Sequence, residues 1–196
     1  NSVEGAEDHP EDGKHDLIDF NLTDKDIVCG IAASGRTPYV IGALNYAKEI
    51  NAKTIAIACN VPSAILDIAD IPIGIEVGPE VITGSTRMKS GSAQKMVLNM
   101  LSTGTMVKLG KVYGNLMVDV KVTNQKLAIR ARNLVMQLAE VEEHNAQNLL
   151  DQADNHVKTA IVMHKRNVTA DQARSLLDQA NGLLGAVIGH QPENET

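Results

Sequence analysis

The chain has 196 residues, a formal net charge of −6, and only 2% aromatic residues. That length suits one well-buried α/β domain with a small appendage. The negative charge and the scarcity of aromatic rings argue against nucleic acid and anionic membranes as partners, because both need clustered cations and single strands also need stacking rings. No apolar stretch approaches the length of a membrane span, and the acidic start is unlike a signal peptide.

The first half of the chain alternates apolar runs with helical periodicity. Residues 1–26 are rich in Asp, Glu, His and Gly and predict an exposed loop or a short helix. The continuous apolar run 27–33 predicts a strand buried on both faces, as in a parallel sheet. Two more strands are predicted over 54–59 and 71–77, and the connecting helices over 38–50 and 64–68. This alternation predicts an α/β fold with a doubly wound parallel sheet, whose ligands gather at the carboxyl ends of the strands.

The two cysteines, Cys29 and Cys59, lie within or at the end of predicted strands. Two thiols in apolar runs predict buried, unpaired cysteines in a reducing compartment rather than a disulfide framework. We therefore expect a cytoplasmic protein.

The second half of the chain predicts helices. The first follows a polar stretch, with Ser85 or Thr86 as its N-cap, and ends near residues 109–110. Its apolar residues recur at intervals of three, four and seven, which predicts one face in the core: Ala93, Met96, Val97, Met100, Leu101 and Val107. Later helices are predicted over 123–139, 145–153, 156–165, 169–179 and 182–188, the fourth with a capping box. We expect two domains, 1–139 and a small helical domain 140–196.

The segment Ser34-Gly35-Arg36-Thr37 joins the first predicted strand to the first connecting helix. Two hydroxyls and three backbone N–H groups at that position would face one concavity, which suits a phosphate. A tight turn with Thr37 as a simple cap explains the same residues equally well.

A second polar stretch, Gly78 to Lys95, crowds hydroxyls and cations ahead of a predicted helix. A helix start carries unpaired N–H groups and partial positive charge, so an anionic ligand is favoured there. The alternative is an N-cap before a buried helix. The density of polar residues favours a site: Thr83, Ser85, Thr86, Arg87, Lys89, Ser90, Ser92 and Lys95.

The whole run from Gly78 to Lys95 resembles the signature shared by N-acetylmuramic acid 6-phosphate etherases and the glucokinase regulatory protein, both built on sugar-isomerase (SIS) domains. The segments 30–40 and 98–119 resemble the same family. The resemblance implies a SIS-type domain that binds a sugar phosphate. It also implies cleavage of the D-lactyl ether of N-acetylmuramic acid 6-phosphate, by elimination and hydration, during peptidoglycan amino-sugar recycling. It further implies a homodimer.

The resemblance also implies roles for particular residues. Contacts to the sugar phosphate fall on Ser34, Gly35, Arg36, Thr37, Ser85, Thr86, Lys89 and Ser92. The catalytic carboxylate falls on Glu7, although an acidic cluster at a chain start, here residues 4–8, by itself favours a solvated side chain. A second glutamate is expected N-terminal to Asn1, in a part of the family's domain that this chain lacks.

Two other functions share the phosphate loop: a sugar-phosphate-sensing regulatory protein that binds a partner kinase, and a sugar-phosphate isomerase. Release of lactate separates the etherase from the isomerase, and Glu7 in its acidic context favours the enzyme over the regulator. No metal or organic cofactor is expected, because acid–base chemistry needs only carboxyl groups and the scattered histidines have no metal-ligand spacing. Gly110-Lys111 follows a predicted helix and does not form a nucleotide-binding loop.

Overall fold

The computed structural model describes residues 5–189, and its contacts divide the chain into two compact units, residues 1–100 and 101–196. The first unit holds a parallel sheet with helices, and the second is helical apart from one short hairpin. The α/β class, with a parallel sheet followed by a helical domain, is thereby confirmed. Within residues 5–189 no helix is both long enough and apolar enough to cross a lipid bilayer.

The N-terminal unit opens with one turn of 3-10 helix, Ala6–Asp8. Its helices are α1 (Pro10–Asp19), α2 (Pro38–Glu49), α3 (Ala64–Ile68) and the first half of α4 (Lys89–Lys108), and its strands are β1 (Ile27–Ala32), β2 (Lys53–Ala58) and β3 (Ile71–Gly74). The strands are parallel in the order β1-β2-β3, with Ile27 opposite Lys53 and Ile55 opposite Ile71. Helices α2 and α3 and all three strands lie as predicted, although β3 ends three residues early.

Helices α2 and α3 cover one face of the sheet, where a small apolar core forms around Leu44 and Ile65. The sequence predicted either an exposed loop or a short helix over residues 1–26. Helix α1 lies in this region, and it crosses α2 at a very short distance. A β-carbon on Gly42 would lie 1.9 Å from the Pro10 carbonyl oxygen, so glycine is required there. This crossing holds α1 against the helix that follows the Ser34–Thr37 loop.

The other face of β1 is open among the described residues. Ile27 is 65% exposed and Cys29 is exposed, because alternate residues of a strand point to opposite faces. The prediction of a strand buried on both faces is therefore wrong for β1, and so is the prediction of a buried Cys29. Cys59 is buried, and both cysteines are free thiols.

Helix α4 differs most from its prediction. Its one buried residue is Ser90, and its apolar side chains are exposed or half-buried, with Met100 at 64% exposed. No other element within residues 5–189 packs extensively along it, so the predicted core face is not covered. Periodicity marked a real apolar stripe, but a stripe is buried only where a second surface meets it.

The C-terminal unit continues from α4 into a two-stranded antiparallel hairpin, β4 (Val112–Tyr113) and β5 (Leu116–Met117). Five helices follow: α5 (Gln125–Ala139), α6 (Glu143–Gln152), α7 (Val157–Arg166), α8 (Ala170–Gln179) and α9 (Leu184–Ile188). Helix α7 is central, since Val157 to Met163 are all buried in it. The predicted capping box of α8 is confirmed, with Thr169 and Gln172 bonded reciprocally.

The sequence placed a domain boundary near residue 140, whereas the compact units meet at Met100 and Leu101. Helix α5 accounts for part of the difference. It buries Leu134, Val135 and Leu138 in the same core as α6 and α7, so it belongs with the helices that follow it.

A buried lysine ties the turns of this unit together. Lys158 is 6% exposed, and its Nζ donates to the carbonyl oxygens of Gly110 (3.2 Å) and Gly182 (3.0 Å). Burial lowers the pKa of Lys158, while the nearby Asp119 carboxylate opposes that shift. Asp119 also pairs with Lys111. The buried Lys158 cation thus lies near a carboxylate of the same unit.

Candidate functional site

Three loops follow the carboxyl ends of β1, β2 and β3, and parallel strands bring such loops to one edge of the sheet. Backbone contacts join the first two. The Cys59 amide donates to the Ala33 carbonyl oxygen (3.0 Å), and the Ile65 amide to the Gly35 carbonyl oxygen (3.0 Å). The edge predicted from the sequence is thus assembled from loops that touch each other.

The Ser34–Thr37 loop joins β1 to α2, and two of the three backbone N–H groups predicted to face a ligand, those of Gly35 and Arg36, instead donate within the loop and to the end of β1. Gly35 is buried with φ +69°, a left-handed conformation that favours glycine, and its amide donates to the Ala32 carbonyl oxygen. The Arg36 amide donates to the Ser34 hydroxyl (3.4 Å), while the Arg36 side chain is exposed. Thr37 is the N-cap of α2, and its side chain makes no capping hydrogen bond among the described residues. The first turn of α2 therefore keeps its hydrogen-bonding capacity for a ligand.

The loop after β2 contributes two residues that the sequence did not single out. Asn60 donates through Nδ2 to the Ser34 carbonyl oxygen (3.4 Å). The Ser63 hydroxyl is buried beside Gly35 without a hydrogen-bond partner in the described structure. A buried polar atom without a partner costs free energy, so a ligand group is favoured there. The sequence did hold a signal for Ser63. It lies directly before a short predicted helix, in the loop that follows a predicted strand.

The start of α4 corrects the predicted N-cap. The helix begins at Lys89, and its cap is the Glu80 carboxylate rather than Ser85 or Thr86. Glu80 Oε2 accepts from the Lys89 amide (3.0 Å), and Oε1 accepts from the Ser90 amide (3.1 Å). These two backbone hydrogen bonds lower the pKa of Glu80. Sequence reasoning missed this residue because it lies nine and ten positions before its partners.

The other predicted residues of the signature lie around this cap. Ser85 donates its amide to the Ile82 carbonyl oxygen, and the Thr86 carbonyl oxygen accepts from Gly91. Lys89 is exposed, and its Nζ donates to the Pro79 carbonyl oxygen (2.7 Å). Ser92 is exposed on the first turn of α4.

Ser90 links the signature to the other loops. It is 4% exposed, and its carbonyl oxygen accepts from the Cys59 thiol (3.8 Å). Since Cys59 also contacts Ala33, a continuous path of hydrogen bonds runs from the start of α4 to the segment before Ser34.

Glu7 lies in the 3-10 helix and is exposed. That turn contacts α2, the helix that begins after Thr37, so Glu7 belongs to a turn that packs on the same helix as the loop. Glu4, the other glutamate of the predicted acidic cluster, lies outside the described residues. Among residues 5–189 no group of three or more His, Cys, Asp or Glu side chains is arranged to hold a metal ion.

A parallel sheet with a Ser-Gly-Arg-Thr loop at its carboxyl edge defines an α/β domain of the kind that binds ligands at that edge. The SIS domain family matches residues 6–104, about half of the chain, and the chain belongs to this family. Residues 114–156 match the C-terminal lid domain of glucokinase regulatory protein.

Individual relatives extend this likeness along the chain. It is 54% identical over 187 residues to the N-acetylmuramic acid 6-phosphate etherase of Clostridioides difficile, covering 95% of this chain and 62% of the relative. It is 54% identical over 189 residues to the enzyme of that name from Bacillus subtilis, covering 96% and 62%. N-acetylmuramic acid 6-phosphate etherase 2 of Lactiplantibacillus plantarum is 55% identical over 183 residues, covering 93% and 62%. The chain thus spans about three fifths of the length of these relatives.

Proposed function

We propose that the protein containing this chain is an etherase that cleaves the D-lactyl ether of N-acetylmuramic acid 6-phosphate, giving N-acetylglucosamine 6-phosphate and D-lactate in peptidoglycan amino-sugar recycling. The observation that carries the proposal is 54% identity, over 95% of this chain, to a protein of that name. The loop geometry supports it, because the first turn of α2 has no side-chain cap and follows the hydroxyl residues Ser34 and Thr37, and an uncapped helix start favours a phosphate.

In this proposal the 6-phosphate binds to Ser34, Gly35, Arg36 and Thr37. The buried Ser63 hydroxyl beside Gly35 adds a donor that lacks a partner among the described residues. Ser85, Thr86, Lys89 and Ser92 contact the rest of the substrate from the neighbouring loop. These residues hold the sugar so that its reacting carbons meet a carboxylate in a fixed orientation, which is a large part of catalysis.

The reaction needs only acid–base groups. Opening the sugar ring exposes an aldehyde at C1, which acidifies the proton on C2. Glu7 removes that proton, a C2–C3 double bond forms, and the C3–oxygen bond breaks as the leaving oxygen takes a proton and departs in D-lactate. Water then adds, its hydroxyl to C3 and its proton to C2. No metal or organic cofactor takes part in this proposal.

We propose a homodimer in the cytoplasm. The exposed apolar stripe of α4, with Met96, Met100 and Val107, supports a protein–protein contact because such stripes mark interfaces. Free thiols at Cys29 and Cys59 suit a reducing compartment. Sedimentation of the full-length protein tests the dimer.

A regulatory role is the second candidate, supported by the match of residues 114–156 to the lid domain of glucokinase regulatory protein. The two functions differ in their products. The full-length protein, incubated with N-acetylmuramic acid 6-phosphate in ¹⁸O-labelled water, should release unlabelled D-lactate and place the label at C3 of the sugar. Binding of the sugar phosphate without release of lactate would favour the regulator.

A further inference from the structure

Two long helices, α2 and α4, begin in the N-terminal unit, and their first turns differ in one respect. The first turn of α2 has no side-chain cap among the described residues. The first turn of α4 holds the Glu80 carboxylate, with one oxygen on the Lys89 amide and the other on the Ser90 amide. A carboxylate and a phosphate compete for such amides, since both are anions that accept from helix N-termini. Of these two helices, only α2 has a first turn that no side chain caps within the described part of the chain.

Glu80 also shapes the polar segment that follows it. Its bonds to Lys89 and Ser90 span nine and ten residues and close 81–88 into a loop. Lys89 Nζ closes the same loop a second time, at the Pro79 carbonyl oxygen. Val81 and Ile82 are 82% and 72% exposed, so apolar packing does not hold this part of the loop. The carboxylate and the lysine provide the connections instead.

The Glu80 cap is connected to the Ser34 loop. Ser90, which donates to Glu80, accepts from the Cys59 thiol, and the Cys59 amide donates to Ala33. A shift of the first turn of α4 would therefore reach the residue next to Ser34.

We propose that Glu80 is a positioning and specificity residue: its carboxylate holds the 81–88 loop in place and fills the anion site of α4, which leaves the Ser34–Thr37 loop as the phosphate site. The second half of this statement rests on the proposed function. Glu80 acts through the loop and through charge, and it does not touch the reacting carbons.

The number of phosphate ions bound per chain tests whether the Glu80 carboxylate occupies the first turn of α4. Titration of the full-length protein with inorganic phosphate, followed by calorimetry or ³¹P NMR, gives the number bound per chain. Glu80→Ala should bind one phosphate more than the wild type, because it exposes two backbone amides, and the additional phosphate should persist in Ser34→Ala/Glu80→Ala. An unchanged number in Glu80→Ala overturns the proposal. Equal phosphate binding by the wild type and Ser34→Ala would instead count against the proposed phosphate loop and leave Glu80 untouched.

Turnover tests the positioning role. Glu80→Ala should lower kcat/KM for lactate release about tenfold or more, the scale of hydrogen bonds to a charged group. Added formate should restore part of the loss by occupying the vacated amides. Glu80→Gln keeps one acceptor oxygen, so it should lose less activity and bind no additional phosphate. Glu76→Gln, an exposed glutamate in the same segment, is the matched control and should behave as the wild type. Normal turnover in both Glu80 variants, or no response of Glu80→Ala to formate, contradicts positioning by this carboxylate.

Discussion

The Ser63 hydroxyl oxygen lies 2.2 Å from the point where a β-carbon on Gly35 would stand. Gly35 also has φ +69°, so this position requires glycine for two separate reasons. The loop after β2 therefore lies directly against Gly35, and the Ser63 hydroxyl, which has no hydrogen-bond partner among the described residues, lies beside the proposed phosphate loop.

Replacement of Gly35 measures this crowding. Gly35→Ala should destabilise the fold by more than the left-handed backbone alone costs, which is about 1–2 kcal/mol. Gly78→Ala is the matched control, because Gly78 has φ +68° and nothing within 4 Å of its β-carbon position. Urea unfolding of both variants gives the difference. Equal losses would mean that the two loops separate easily.

Ser34 should contribute specifically to binding of the phosphate group. Ser34→Ala should weaken binding of the phosphorylated sugar by about 1.5–3 kcal/mol, the usual contribution of a hydrogen bond to a charged group. The same sugar without its phosphate is the control, and its weaker affinity should not change. A parallel loss for both ligands would show that the Ser34 hydroxyl bonds something other than phosphate. Equilibrium binding by calorimetry distinguishes these results.

Glu7 should act as the base that removes the C2 proton. Glu7→Gln keeps the size of the side chain and removes its basicity, so lactate release by the full-length protein should fall by about 10²–10⁴-fold. Exchange of the C2 hydrogen with heavy water in residual substrate should be lost as well. Asp8→Asn removes a neighbouring exposed carboxylate and should have little effect. Near-normal lactate release by Glu7→Gln would make Glu7 a solvated loop residue.

Asp70 should make the N-terminal unit sensitive to acid. Its Oδ2 accepts from the backbone amide and from the hydroxyl of the buried Thr54, each at 3.0 Å, and these bonds lower the pKa of Asp70 from 3.8. A carboxyl group whose pKa is lower in the folded state contributes stability above its unfolded value. That contribution should disappear as pH falls through 3.8 towards the lowered value.

Asp70→Asn is the test of this dependence. The variant should be less stable than the wild type at neutral pH, and the difference should shrink in acid, as followed by urea unfolding at several pH values. Asp67→Asn, an exposed aspartate of α3, is the control and should retain the wild-type profile. A difference that stays constant between neutral pH and pH 3 would show that the lost contact does not depend on charge.

The sequence by itself determined the features that depend on neighbours a few residues away. The Thr169–Gln172 capping box, the start of α2 at Pro38 and the bounds of α3 all follow from local hydrogen bonding and backbone preference. The strand-to-helix position of the Ser34–Thr37 loop follows in the same way. Local chemistry also identified the stretch around α4 as a polar segment ahead of a helix.

Tertiary structure decided what lies far apart in the chain. The Glu80 cap joins residues nine and ten positions apart, Ser63 meets Gly35 across 28 positions, and α5 belongs with α6 and α7 because of the core they share. Burial is decided in the same way, as Cys29 and the stripe of α4 demonstrate. Periodicity marks which side chains share a face, but a face is buried only when a second surface covers it, and that surface is set by packing between distant segments.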